Sequence, residues 1–177
     1  GVNYLDITTA GECLAYGAAL KGRREKMIVG ADDHRLCPRS PANRTVQGQI
    51  HNVDECLRRL QTDRLDILYL HRPDRQTPMD ETLSAMDRLV QQGKVLYVGM
   101  SNYAAWQVSE ARWLARTNGW AMPVVTQYPY NLITRSLDEE ATEFLTTCHV
   151  GLTVYNPLAG GLLTGKHTSE AGPGRKG

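Results

Sequence analysis

Several polar groups in this chain follow apolar runs so abruptly that chemistry is the natural reading. LDILYL ends in His71, and VLYVGM ends in Ser101 and Asn102. VVTQYPYN carries Gln127, Tyr128 and Tyr130, and VNYLDI carries Asp6. Histidine titrates near neutrality and serves as acid or base. A carboxylate such as Asp6 orients or helps such a group, although a helix cap or a local turn bond would also use it. Ser101 and Asn102 either face a ligand or cap the next helix. Gln127, Tyr128 and Tyr130 form a polar and aromatic cluster fit to line a pocket.

Such groups need strands to deliver them. Strand patterns cover residues 2–7, 26–31, 65–70, 95–100, 124–131 and 151–158. Between them lie helical patterns at 11–21, 43–60, from Thr77 to a stop at Gly93, 103–117 and 136–147. Asn43 and Thr77 are expected helix caps, with Pro78 in a first turn, and Ser136 with Glu139 reads as a capping box. Residues 32–41, polar with two prolines, read as a loop. Strands separated by helices form a parallel sheet, with its chemistry at the carboxyl ends of the strands. The expected fold class is α/β, an incomplete (β/α)8-type barrel of about six parallel strands. It makes one domain over residues 1–166, followed by a frayed tail, 167–177.

The bulk numbers exclude other classes. At 177 residues, 41% hydrophobic and 22% charged, the chain suits one soluble globular core. A net charge of +1 with scattered Lys and Arg offers nucleic acid no basic face. No apolar run approaches the ~20 residues of a membrane span. No leader pattern opens the chain, and Cys13, Cys37, Cys56 and Cys148 fit no zinc spacing, so idle thiols in the cytoplasm are expected. Trp106, Trp113 and Trp120 read as core or interface residues.

Four long motifs, LDILYLHRPD, TPMDETLSAMDRLVQQGKVLYVGMSNY, NGWAMPVVTQYPYNLITR and YNPLAGGLLTGK, resemble the aldo-keto reductases, most of all the aflatoxin-aldehyde reductase branch. The resemblance implies a (β/α)8 barrel that binds NADPH across its strand ends. Its catalytic set is Asp, Tyr, Lys and His: the phenol gives a proton to a carbonyl while nicotinamide gives hydride. By that resemblance His71 and Asp6 occupy catalytic positions. Ser101, Asn102 and Gln127 match the groups that bond the nicotinamide carboxamide. Tyr155 matches the ring on which nicotinamide stacks, and Asn156, Leu158 and Gly160 match the loop along the pyrophosphate. The family's Tyr position holds Gly11, and no lysine ends the second strand. Lys26 begins it instead. The family's first and eighth strands have no counterpart, and with the eighth goes the clamp on the cofactor's 2′-phosphate.

Three functions follow as expectations. The favoured one is a redox-neutral acid/base step (isomerisation, dehydration or cyclisation) on a small carbonyl or polyketide-like substrate. It uses His71 with Asp6 or Tyr130 and requires no cofactor. The alternative is NADPH-dependent reduction of an aldehyde or ketone by a longer protein or a partner-completed one. The third is a non-catalytic binding or assembly protein. In each case a homodimer is expected to cover the open barrel edges.

Overall fold

A computed structural model describes residues 1–33 and 46–166. Asn43, Cys37, most of the expected 32–41 loop and the expected tail lie outside the described residues. The strands are β1 (Tyr4–Ile7), β2 (Ile28–Asp32), β3 (Leu65–Leu70), β4 (Val95–Ser101), β5 (Val125–Pro129) and β6 (Gly151–Tyr155). The helices are α1 (Ala10–Leu20), α2 (Val46–Leu60), α3 (Met79–Gln91), α4 (Ala105–Asn118) and α5 (Ser136–Thr147).

Each strand pairs in parallel with the next, in the order β1 to β6. No ladder joins β6 back to β1 among the described residues. The six strands therefore form a half-barrel flanked by helices, an incomplete version of the TIM-type barrel. Its curl is visible in bonds that cross the concave side. Gln127 on β5 donates to Asp6 on β1 at 2.9 Å. In a flat sheet with strands about 4.8 Å apart, strands four places apart would stand roughly 19 Å from each other.

Alternation along the strands divides the two faces. Ile7, Val29, Leu68, Leu70, Val98 and Met100 are buried on the outer face, against Val53, Leu60, Leu83, Met86 and Leu89 of the helices. The inner face carries Tyr69, fully buried, with glycines on both neighbouring strands. A Cβ at Gly99 would lie 2.5 Å from the Tyr69 ring, and one at Gly30 would lie 2.5 Å from the Tyr4 hydroxyl. These two positions leave room for the aromatic rings that fill the barrel's interior.

Local chemistry shifts several expected boundaries. β1 starts at Tyr4, and β2 extends to Asp32, which was expected to begin a loop. Pro78, rather than Thr77, is the N-cap of α3. The Thr77 hydroxyl donates instead to Asp74 at 2.9 Å. Arg135 occupies the N-cap of α5, so Ser136 is already helical and the expected capping box does not form. Trp106 and Trp113 are exposed on α4 rather than packed into the core, whereas Trp120 packs against it.

Candidate active site

The carboxyl ends of the strands gather most of the expected site residues into one hydrogen-bonded network. Gln127 stands at its centre. Its amide nitrogen donates to Asp6 at 2.9 Å, and its amide oxygen accepts from Ser101 Oγ at 3.2 Å. Ser101 Oγ accepts in turn from Asn102 Nδ2 at 3.0 Å. Asn102 also donates to the His71 carbonyl at 3.0 Å and accepts from the Tyr155 hydroxyl at 2.8 Å. Five strands thus contribute to a single cluster. Neither Ser101 nor Asn102 caps the next helix, since α4 begins after Ala104, whose N–H donates to Gln107. Asn102 turns the chain with φ of 63°.

His71 is fixed from three directions. Its backbone N–H donates to Asp33 Oδ1 at 3.0 Å, and its carbonyl accepts from Asn102. Its ring Nδ1 lies 3.0 Å from Asp32 Oδ2. The sequence had offered Asp6 or Tyr130 as its companion; in the structure the carboxylate on the ring is Asp32. Asp32 is 3% exposed, and its second oxygen, Oδ1, is buried without a hydrogen-bond partner among the described residues. Asp6 lies close enough to feel its charge. Burial raises the Asp6 pKa above the usual aspartate value, the Asp32 charge raises it further, and the Gln127 bond opposes both.

Tyr130 lies elsewhere. Its hydroxyl donates to Asp138 Oδ1 at 2.8 Å, and the Arg135 guanidinium stands 5.8 Å from its ring centre. Asn156 takes a left-handed turn and accepts from the Gly160 N–H at 2.7 Å, while Gly160 and Gly161 also have positive φ. Asn131 ties this loop to the end of β5 by donating to the Asn156 carbonyl at 3.0 Å. Leu158 is exposed. A separate cleft of about 440 Å³ opens between α2, α3 and the β3–α3 loop. Of the expected site residues, His71 alone borders it, so it lies beside the network rather than over it.

Two tyrosines, Tyr4 and Tyr69, fill the interior beside the network. Tyr4 lies 3.2 Å from the Tyr69 hydroxyl and 3.5 Å from Asp6. Burial, then the bond to Tyr69, pushes the Tyr4 phenol far above its ordinary range, and burial raises Tyr69 as well. Both are held as neutral phenols. Gly11 falls in the first turn of α1, where the Glu12 carboxylate accepts the Thr8 and Thr9 N–H groups at 2.7 and 3.0 Å. Helix follows strand so closely that no loop remains to present a side chain there. Lys26 sits in a short 3-10 turn before β2, at the far end of that strand from the network.

Comparison with known proteins agrees with this architecture. The model of the "Aldo/keto reductase family" matches residues 8–177. The chain belongs to the aldo/keto reductase family. It is 48% identical to human "Aldo-keto reductase family 7 member A3" over 126 residues, 70% of this chain and 38% of that protein. It is 45% identical to mouse "Aflatoxin B1 aldehyde reductase member 2" over 124 residues, 70% of this chain and 34% of that protein. Human "Aflatoxin B1 aldehyde reductase member 4" is 39% identical over 154 residues, 84% of this chain and 46% of that protein. This aldo/keto reductase chain spans less than half the length of the curated relatives it matches. All three are named as reductases. The expected redox-neutral step finds no support among them, and the reductase alternative fits better.

Proposed function

We propose that this chain is the nicotinamide-holding part of an NADPH-dependent reductase of aldehydes or ketones. The observation behind this reading is the network that brings Ser101, Asn102 and Gln127 together at the strand ends, beside Asp6 and His71. A carboxamide needs both a donor and an acceptor in one plane. Gln127 keeps one amide N–H and one oxygen lone pair to spare, while Asn102 and Ser101, whose hydrogens are already donated within the network, add acceptor lone pairs. Tyr155, partly exposed, presents an aromatic face beside them, and the Asn156–Gly160 turn next to it is closed by its own bond from the Gly160 N–H to Asn156 Oδ1. Bound there, reduced nicotinamide supplies hydride. The chain's own residues orient the ring, hold the substrate oxygen and deliver a proton to it.

The expectation that no cofactor is required belongs to the redox-neutral alternative, and one titration decides between them. Reduced nicotinamide mononucleotide carries the half of the cofactor that these residues would hold. Saturation-transfer NMR with it should show transfer to the nicotinamide ring protons, lost in Asn102→Ala. No transfer at millimolar ligand would remove the reductase reading. The same proposal includes a small carbonyl substrate and cytoplasmic residence. It includes a homodimer when this chain stands by itself, supported by the open edges at β1 and β6. No helix among the described residues is long and apolar enough to cross a membrane.

A further inference from the structure

We infer that Asp32 and His71 act as one unit in which Asp32 is a positioning residue and His71 passes the proton to the carbonyl oxygen. This inference rests on the reductase reading and names the group that would do what the missing phenol cannot. The geometry that carries it is the 3.0 Å contact between Asp32 Oδ2 and His71 Nδ1, on a carboxylate that is almost wholly buried. Asp32 ends β2, the strand whose end would otherwise carry a lysine. A carboxylate there cannot support a phenolate as an ammonium would. It can do something different, which is to fix an imidazole.

A carboxylate accepts only, so the Nδ1 facing it carries hydrogen in both the neutral and the protonated ring. Any proton that comes or goes does so at Nε2. The Asp33 and Asn102 bonds to the His71 backbone stop the strand end from turning to another register. Asp32 Oδ1, which has no partner among the described residues, points the same way. A buried carboxylate oxygen without a donor is costly, and a folding role alone would be met more cheaply by an amide or an apolar residue. Asp6, the other carboxylate of the interior, is already held by Gln127 and stands as a second acceptor nearby.

The step balances as follows. Reduced nicotinamide held by Ser101, Asn102 and Gln127 would supply hydride to the carbonyl carbon, forming a C–H bond as the C=O π bond breaks toward oxygen. The oxygen takes the proton from protonated His71, so an O–H bond forms as the Nε2–H bond breaks. The products are an alcohol, oxidised nicotinamide and neutral His71 whose Nδ1–H still donates to Asp32. Water returns the proton to Nε2 for the next turnover.

Two measurements on the chain test this. The first needs no cofactor. Long-range proton–nitrogen correlation on histidine-labelled protein, with His71 assigned by its loss in His71→Gln, reports which ring nitrogen carries hydrogen in the neutral ring. The Nδ1–H form is expected in the parent and the Nε2–H form in Asp32→Leu. An Nε2–H parent, or an Asp32→Leu spectrum still showing Nδ1–H, overturns the inference. If Asp32→Leu does not fold, the parent and Asp32→Asn are compared. The amide can donate to Nδ1, so the Nε2–H form should gain population there, and an unchanged spectrum counts against the pair. The second measurement is aldehyde reduction with saturating NADPH or reduced nicotinamide mononucleotide. Asp32→Leu and His71→Gln should each lower kcat by about 10²-fold with little change in KM, and the double variant should lose no more than either. Reduction that survives Asp32→Leu, or losses that multiply, overturns the inference and leaves the reductase reading intact. No nucleotide binding and no reduction in the parent overturns that reading, and with it the proton delivery, while the nitrogen spectrum still tells whether the pair exists.

Discussion

At the scale of single residues, the chemistry of this site is decided by where buried charge is placed. Asp6 is an aspartate held in a desolvated interior near a second carboxylate, and its folded pKa lies above the ordinary value. In the window between the two values the folded chain binds more protons than the unfolded chain, so stability falls as pH rises through that window. Above the raised pKa the penalty is fully present; below the ordinary aspartate value it is absent. Asp6→Asn keeps an oxygen for Gln127 and removes the charge. Its urea midpoint should therefore exceed the parent's at neutral pH and converge with it in acid. A variant less stable at pH 7 would show that the carboxylate is a net asset. The position of Asp6, Ser101, Asn102 and Gln127 at strand ends was legible in the sequence, because apolar runs stop there. Asp32 was not recognised as a partner of His71. Partnership between residues on neighbouring strands depends on register, which places Asp32 beside Tyr69 and so next to His71. Tyr130 misled for the same reason in reverse: proximity in VVTQYPYN says nothing of Asp138, a turn of loop away, which takes its hydroxyl.

Secondary-structure elements follow the sequence more closely, since their periodicity is local. All six strands and five helices lie where apolar spacing placed them, within a few residues. The errors fall at caps, where single hydrogen bonds decide between adjacent residues, as Thr77 bonding Asp74 and Ser136 entering the helix show. Helix packing holds information that no propensity reveals. Glycine inside a helix ordinarily weakens it, yet a Cβ at Gly17 would lie 2.8 Å from the Arg59 carbonyl and 3.0 Å from that of Leu60. Gly17 is the contact at which α1 closes on α2, with the Cys13 and Cys56 thiols 3.6 Å apart beside it. Backbone cannot yield as a flexible side chain does. Gly17→Val should cost about 1–3 kcal/mol through overpacking, measured by urea denaturation. Stability equal to the parent's would mean that the two helices separate without penalty.

At the scale of the whole molecule, one face of the half-barrel has no cover among the described residues. β1 and β6 end the sheet with one edge each, and an edge exposes backbone donors and acceptors that favour pairing with another strand. The outer face of β6 adds apolar surface: Leu152 and Val154 are 45% and 46% exposed, while Thr153 between them turns inward to Tyr69. On β1 to β4 most residues of the equivalent face, among them Ile7, Val29, Leu68, Leu70, Val98 and Met100, are buried in the main core. Contiguous apolar surface next to an open edge is the combination that association removes from water. A chain of this span, kept by itself, should therefore run as two copies in light scattering at micromolar concentration. Leu152→Lys with Val154→Lys should shift it toward one copy without unfolding it, because both side chains stand outside the two buried clusters. Lysine is also a residue that natural edge strands use to resist pairing. A single-copy mass for the parent, or a two-copy mass unchanged in the double variant, would mean that β6 is not where the molecule closes.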